Sequence, residues 1–190
     1  MNTALLVIDI QNDYFPGGKM ELEGALEAGR KAGALLQCFR EHGGHHIHIQ
    51  HESRKPEAIF FIPGTEGIRI HDNVAHFEGE PIVHKQHPNS YRETNLLEML
   101  KAWQIERLVI CGMMTHMCVD AAVRASADFG FQVLVAADAC ATRALTHGAT
   151  TVSAAHVHAA FLAAFKSYST VMSTEEILSK LGAEKAKEQK

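Results

Sequence analysis

The sequence contains few cysteines, and no two of them stand close enough to form a common paired motif. The four are Cys38, Cys111, Cys118 and Cys140, and none belongs to a C-x-x-C arrangement. This absence excludes a zinc ribbon and a thioredoxin-type redox site. A chain of 190 residues can bury an adequate core without disulfides. The pattern therefore predicts reduced thiols.

Long apolar runs and an excess of positive charge are also missing. No segment approaches the ~20 apolar residues of a membrane helix, and no basic stretch precedes the short apolar run near the start. The formal net charge is −4, which argues against nucleic acid or an anionic membrane as a partner. We therefore expect a cytoplasmic protein that acts on a small molecule.

Short apolar runs alternate with longer amphipathic stretches. This alternation predicts an α/β fold of three αβα layers, with a Rossmann-like parallel sheet of about six strands covered by helices on both faces. Residues 1–182 are expected to form one domain and 183–190 a frayed tail. The predicted strands are Ala4–Ile8, His46–His51, Pro81–Lys85, Arg107–Cys111, Gln132–Ala137 and Ser169–Met172. The predicted helices are Glu23–His42, Glu93–Trp103, Thr115–Phe129, Thr150–Phe165 and Thr174–Leu181. The first of them has Leu26, Leu35, Leu36 and Phe39 as candidate core positions.

In an open parallel sheet, ligands bind beyond the carboxyl ends of the strands. The first predicted strand ends at Asp9, the second at His51 and the third at Lys85. The fourth leads into the turn that carries Cys118, and the fifth ends at Asp138. A carboxylate, an ammonium group and a thiol are thus expected at one rim. Such a cluster could lower the pKa of the thiol and supply an acid–base partner.

Cys118 is a candidate nucleophile on a second ground. With Thr115 as N-cap, Cys118 is the third residue of a helix, where free N–H groups and the helix dipole would stabilise a thiolate. The same N–H groups could hold an oxyanion. The alternative for Cys118 is a buried small hydrophobe. The alternative for Asp9 is a helix cap or a structural ion pair with Lys85.

Three segments together resemble the isochorismatase-like cysteine hydrolases, which include nicotinamidases and related amidases. Residues 6–15, LVIDIQNDYF, are similar to the first motif of that family, whose Asp corresponds to Asp9. Lys85 in the triplet VHK matches the family lysine. The stretch from Gly112 to Cys118 is similar to the third motif, Gly-x-x-Thr-x-x-Cys, which ends on the nucleophile. The resemblance extends from about Thr3 to Met172.

The resemblance implies a role for each of these residues. Asp9 would take the proton of Cys118, the thiolate would attack a carboxamide carbonyl, and water would hydrolyse the resulting thioester. Lys85 would orient Asp9 and favour the thiolate. A non-proline cis peptide is implied between Met113 and Met114, and it would turn the Met114 N–H toward the oxyanion beside that of Cys118.

One departure from the family bears on metal binding. Nicotinamidases carry an Asp-x-His pair and a further His as metal ligands near the second strand, whereas the stretch from His48 to Ser53 reads HIQHES and does not match. We therefore predict no metal, no cofactor and a substrate other than nicotinamide. The histidine-rich tract His42–His48 lies at the opposite end of that strand and is interpreted as a solvated or interface cluster.

The substrate pocket and the assembly are predicted less directly. Phe15, Phe60 or Phe61, Tyr91 and Met114 are the candidate pocket residues, and packing in the core is the alternative for each. Tyr91 could offer its hydroxyl to a substrate. The loop Ser53–Phe77 is long enough for a lid or an interface element. A homo-oligomer, dimer or tetramer, is expected, with the Ala-rich helix as a contact surface.

Three other functions remain open. A family member that cleaves a vinyl ether, as isochorismatases do, would not need the cysteine. A redox protein could use Cys118 as a sensor thiol, although no C-x-x-C partner is present. A binding module on an inactive scaffold is opposed by the intact set of Asp9, Lys85 and Cys118. An aspartate-based phosphatase is set aside because Gln11 stands where those enzymes have a second Asp.

Overall fold

The computed structural model describes residues 1–188 of the chain. Eight strands and five α-helices follow one another in the order β1 Thr3–Ile8, α1 Ala25–Glu41, β2 His45–His51, β3 Ile82–Lys85, α2 Leu96–Ala102, β4 Arg107–Met113, α3 Asp120–Asp128, β5 Gln132–Ala141, β6 Leu145–His147, β7 Thr150–Val152, α4 Ala154–Phe165, β8 Thr170–Met172 and α5 Thr174–Glu188. The predicted alternation of strands and helices is confirmed.

Six of the strands form one parallel sheet in the order β3-β2-β1-β4-β5-β8. One face packs against α1 and α5, and the other packs against α2, α3 and α4. The three layers bury both faces of the sheet, which is why β1 and β4 are almost wholly apolar. The predicted three-layer α/β fold is confirmed.

Gly112 sets the close approach of β4 to β1 near the site. Its φ is +129°, and a Cβ at this position would lie 2.0 Å from the carbonyl oxygen of Ile8. Since no other residue tolerates both conditions, glycine allows the end of β4 to lie against the end of β1. The turn after β4 therefore begins beside the turn after β1.

The long loop between β2 and β3 is fixed at its base by two buried polar side chains of the first motif. Gln11 Nε2 donates to the carbonyl oxygen of Ile68 at 2.7 Å. Asp13 Oδ2 accepts from the N–H of Phe61 at 2.6 Å, and a Cβ on Gly67 would lie 2.1 Å from Asp13 Oδ1. These contacts hold the loop over the rim of the sheet.

Three details differ from the sequence predictions. The predicted helix from Thr150 begins at Ala154, because the preceding residues pair as the small antiparallel hairpin β6–β7. The last helix continues to Glu188, where a frayed tail was predicted, and Glu184 forms an ion pair with Arg107. For residues 189 and 190 the tail prediction lies outside the described residues. Leu26, predicted as a core position, is exposed.

Among residues 1–188, no helix is both long enough and apolar enough to cross a membrane. The prediction of a homo-oligomer stays a prediction. Helix α4, proposed as its contact surface, is apolar on most sides and leaves several alanines exposed.

Candidate active site

Asp9 and Lys85 form a buried ion pair at the carboxyl end of the sheet. Asp9 follows β1 directly, with a φ of +50° and its N–H bonded to the carbonyl oxygen of Ile49 at 2.9 Å. Lys85 is the last residue of β3, and its Nζ lies 2.7 Å from Asp9 Oδ2. Both side chains are fully buried. The predicted convergence of these two residues is therefore present.

The second carboxylate oxygen of Asp9 is differently placed. Asp9 Oδ1 is buried and has no hydrogen-bond partner among the described residues. Leaving a buried carboxylate oxygen unsatisfied is costly, and such atoms in native structures are commonly reserved for a ligand, a water or a chemical step. Oδ1 is thus available to accept a proton, while Oδ2 is held by Lys85.

Cys118 lies in a five-residue π-helical turn, Thr115–Val119, that leads into α3. Met114 rather than Thr115 caps this turn, and its carbonyl oxygen accepts from the N–H groups of Met117 and Val119. The prediction of Thr115 as N-cap is therefore wrong. Its hydroxyl instead donates to a β5 carbonyl oxygen at 3.2 Å. The peptide bond between Met113 and Met114 is cis, as predicted.

The thiol of Cys118 joins Asp9 and His51 in one cluster. Cys118 Sγ, a carboxylate oxygen of Asp9 and a ring nitrogen of His51 lie within 4.8 Å of one another. Since Lys85 Nζ contacts both Asp9 and His51, the three residues predicted from the motifs do meet at one rim. His51, which the sequence places at the end of the second strand, is a fourth member.

The predicted thiolate is not the resting form of Cys118. Burial raises the pKa of the thiol, the charge of Asp9 raises it further, and Lys85 opposes both without overcoming them. The prediction of a lowered pKa is therefore wrong, because the sequence does not reveal how completely the sulfur is buried. The proton must leave Cys118 as the sulfur reacts, and Asp9 is the adjacent acceptor.

The environment of Lys85 favours its charged form. Burial by itself would lower the pKa of the ammonium group, but the neighbouring Asp9 and Cys118 groups together outweigh burial and the pKa is raised. His51 shows the opposite behaviour. Burial and the Lys85 charge lower the pKa of the imidazole to about 4, so the ring is neutral near pH 7.

Asp9, His51 and Cys118 carry donor atoms that metals accept, but their surroundings fit a cation poorly. Lys85 Nζ lies 2.7 Å from Asp9 Oδ2 and 3.1 Å from His51 Nδ1. An ammonium group therefore already uses the donors that a metal would need, and a second cation beside it would be repelled. The absence of a metal stays a prediction.

Three aromatic rings form what we call the aromatic cover of the site: Tyr14, Phe60 and Phe61. The ring of Phe61 lies 4.6 Å from Tyr14, 4.9 Å from Phe60 and 6.0 Å from His51, measured between centroids. Burial raises the pKa of the Tyr14 hydroxyl, and the nearby charges of Cys118 and Asp9 raise it further. Under this cover Cys118 is only 3% exposed.

The four candidate pocket residues have different positions. Phe60 belongs to the aromatic cover, and Met114 is buried directly before the turn of Cys118. Phe15 faces elsewhere, because its ring stacks on His71 at 3.4 Å. The aromatic residue of the first motif that lies near the Cys118 thiol is Tyr14, which was not among the residues predicted from the sequence. Tyr14 lies in a short 3-10 turn, Asn12–Tyr14, after the end of β1, so the alternation of side chains along a strand does not indicate it.

Tyr91 does not reach the cluster. Its hydroxyl lies 2.7 Å from Ser126 Oγ, and its ring packs against Phe129 at 5.0 Å. Both partners lie near the far end of α3, and Ser126 is about 12 Å along the helix from Cys118 at 1.5 Å per residue. The structure therefore gives Tyr91 a packing role and contradicts its prediction as a pocket residue.

Two other groups considered from the sequence also lie elsewhere. Asp138 lies in a stretch of β5 whose pairing with β4 is irregular, and its carboxylate accepts from the N–H and hydroxyl of Thr174 at 2.7 and 2.8 Å. It therefore caps α5. His46 and His48 both pair with Glu80, and His48 is only 1% exposed, so His48 is not a solvated histidine. The alternative interpretation of the tract, an interface cluster, stays a prediction.

Comparison with known proteins agrees with the fold. The Isochorismatase domain matches residues 3–176. The isochorismatase family protein YddQ of Bacillus subtilis is 47% identical over 94% of this chain and 99% of its own length. An isochorismatase-family protein from Oleispira antarctica has the same fold, with a TM-score of 0.90 and 46% identity over 94% of this chain and 96% of that one.

Some more distant relatives are named for a reaction. Streptothricin hydrolase of Streptomyces noursei is 32% identical over 73% of this chain and 49% of its own length. Maleamate amidohydrolase of Pseudomonas putida is 25% identical over 70% of this chain and 68% of its own length. Ureidoacrylate amidohydrolase RutB of Agrobacterium fabrum is 28% identical over 64% of this chain and 68% of its own length.

Proposed function

Because this chain belongs to the isochorismatase family of hydrolases, we propose that it hydrolyses a small amide, with Cys118 as the nucleophile. The observation that carries the proposal is the meeting of a thiol with a buried Asp9–Lys85 pair at one rim. A vinyl-ether hydrolase would not need that thiol. The position of the Cys118 thiol beside a free carboxylate oxygen of Asp9 favours attack by the sulfur on a carbonyl carbon.

The first half of the reaction transfers the acyl group to sulfur. Asp9 Oδ1 takes the thiol proton while Cys118 Sγ forms a bond to the carbonyl carbon of the amide. The C–N bond then breaks, and the protonated Asp9 returns the proton to the leaving amine. Since the pKa of the resting thiol is raised, proton transfer and attack occur together. The product of this half is a thioester on Cys118.

Lys85 supports this step without taking part in the bond changes. Its ammonium group holds Asp9 Oδ2 at 2.7 Å, which leaves Oδ1 directed to the thiol. Its positive charge also stabilises the negative charge that develops on sulfur. The backbone N–H groups of Met114 and Cys118, at the start of the turn that carries the thiol, are the proposed donors to the carbonyl oxygen as it becomes negative.

Entry of the substrate requires movement of the aromatic cover. Cys118 is 3% exposed and Asp9 is fully buried, so an amide reaches the sulfur only when Phe60 and Phe61 move. Both rings are carried by the long loop, and because Asp13 holds the backbone N–H of Phe61, the movement is one of the side chains rather than of the Phe61 backbone. Loops of this kind exclude water once the substrate is bound.

The proposed chemistry is tested by its products. We expect the purified protein to release ammonia from at least one member of a panel of small carboxamides and carbamoyl compounds. We expect no pyruvate from isochorismate. Mass spectrometry of the quenched reaction should find the acyl group on Cys118. Release of pyruvate without ammonia would instead support the vinyl-ether reaction.

The charge at the mouth of the site favours an amide that carries a carboxylate. Arg143 follows β5, is exposed, and has no ion pair among the described residues. Its neighbour Thr142 lies 2.5 Å from the ring of His116, two residues before Cys118. The charge of Arg143 acts on the Tyr14 hydroxyl and on the His116 ring, so with Lys85 compensating Asp9 it would add positive charge to the mouth. Two relatives are named for the carboxylates maleamate and ureidoacrylate.

Replacing Arg143 with glutamine should weaken the binding of anionic amides. A guanidinium–carboxylate hydrogen bond contributes about 1.5–3 kcal/mol, so kcat/KM for maleamate should fall about 10-fold or more. For a neutral amide such as acrylamide it should change little. Arg124→Gln is the control, since Arg124 pairs with Asp120 on α3. An equal loss for both substrates would argue against recognition of a carboxylate by Arg143.

A further inference from the structure

His51 is a fourth reactive group at the site, and the acyl-transfer step described above does not use it. It ends β2, which lies between the strands that carry Asp9 and Lys85, and it is the register partner of Lys85. Gln11 fixes its backbone on both sides, accepting from the His51 N–H at 2.8 Å and donating to the His51 carbonyl oxygen at 3.0 Å. The ring is therefore held in a fixed place.

The contact with Lys85 determines which ring nitrogen carries the proton. Lys85 Nζ lies 3.1 Å from His51 Nδ1, and an ammonium group can only donate. Nδ1 must therefore be the acceptor, and in the neutral ring the proton resides on Nε2. The low pKa of His51, about 4 through burial and the Lys85 charge, makes the ring a poor base but leaves it a hydrogen-bond donor.

A donor and an acceptor without a partner therefore lie in the same cluster. The acceptor is Asp9 Oδ1, which is buried and has no partner among residues 1–188. The donor is His51 Nε2–H on the ring, of which one nitrogen lies within 4.8 Å of a carboxylate oxygen of Asp9 and of the sulfur. A water molecule is held where two or more polar groups of complementary character meet, which is what these two groups offer.

We propose that His51 positions the water that hydrolyses the thioester on Cys118. The inference rests on the proposed function, since it concerns its second half. The water accepts a hydrogen bond from His51 Nε2–H and gives a proton to Asp9 Oδ1, which has lost its own proton to the leaving amine. The water oxygen bonds to the carbonyl carbon, the C–S bond breaks, and the sulfur takes the proton back from Asp9.

The acetyl-enzyme formed from p-nitrophenyl acetate isolates this step. In the wild-type protein, Cys118 attacks the ester, nitrophenolate leaves, and water then removes the acetyl group. We expect His51→Ala to keep a rapid burst of one nitrophenolate per protein molecule. The steady-state rate after the burst should fall about 10–100-fold, because a positioned water is lost. Mass spectrometry should show the accumulated acetyl group on Cys118.

Two matched variants separate positioning from a general loss of structure. His51→Gln keeps an N–H donor and should restore part of the steady-state rate. His84→Ala changes the half-exposed histidine beside Lys85, which pairs with Glu52, and should leave both phases unchanged. Hydroxylamine attacks a thioester without a positioned water, so it should restore turnover of His51→Ala.

The outcomes distinguish the inference from the function on which it rests. Equal loss of burst and steady state in both His51 variants, with no acetyl group on Cys118, would overturn the role in hydrolysis and leave His51 as support for Lys85. A wild-type protein that forms no acetyl-enzyme would overturn the nucleophile itself. A wild-type protein that forms acetyl-enzyme but releases no ammonia from amides would overturn only the proposed amide substrate.

Discussion

Replacing Cys118 with serine or alanine should lower amide hydrolysis about 10³-fold or more. No other thiol lies in the cluster of Asp9, His51 and Cys118, and loss of a nucleophile typically removes nearly all of the covalent rate enhancement. The alanine variant removes the sulfur, whereas serine keeps a similar volume but offers a hydroxyl that is far harder to deprotonate. The measurement is kcat for the amide found in the substrate screen.

The control for this variant is a thiol outside the site. Cys38 lies on α1, half-buried, near the start of β1 rather than at its carboxyl end, so Cys38→Ala should keep wild-type kcat. Thermal unfolding of the Cys118 variants should show an intact fold, because only a small buried side chain changes. Retention of more than a tenth of wild-type activity in Cys118→Ala would reject the nucleophile assignment.

Removing the charge of Lys85 should cost both activity and stability. In Lys85→Met the carboxylate of Asp9 stays fully buried without its counter-charge. Breaking a buried ion pair on one side typically destabilises a protein by about 3–5 kcal/mol. We expect this loss in the free energy of unfolding from urea titration, together with loss of turnover because Asp9 is no longer oriented.

A double variant separates the two effects. Asp9→Asn with Lys85→Met removes both charges, so most of the lost stability should return, while turnover stays absent because no base remains. Lys31→Met is the matched control, since Lys31 forms a half-exposed pair with Asp138 at 3.7 Å, and such pairs contribute about 0–1 kcal/mol. A double variant no more stable than Lys85→Met would mean that the buried pair is not the source of the loss.

The predictions from sequence were most successful where a single strand determined the result. β1 is a short apolar run followed directly by Asp9, and β3 is a short strand that ends at Lys85, so the position of each polar residue is fixed by the length of its strand. The carboxyl ends of parallel strands lie at one edge of the sheet, however the helices pack against it. The motif that ends at Cys118 added the third group.

The predictions failed where a residue's role depends on partners from distant segments. Thr115 has the chemistry of an N-cap, but a carbonyl oxygen of β5 takes its hydroxyl. Asp138 follows an apolar run, but the strand continues past it and the side chain caps α5. Tyr91 was assigned to the pocket, yet Ser126 of α3 takes its hydroxyl. None of these partners is near in sequence.

The sequence by itself determined the parallel sheet, the rim and the three residues Asp9, Lys85 and Cys118, because hydrophobic periodicity and strand ends are local properties. Only the tertiary structure decided the protonation states. Burial raises the pKa of Cys118 and lowers that of His51, and burial depends on the aromatic cover that a distant loop contributes. The burial of a side chain and the charged groups around it are properties of the folded chain. The protonated resting state of Cys118 and the neutral state of His51 could therefore not be predicted from the residues alone.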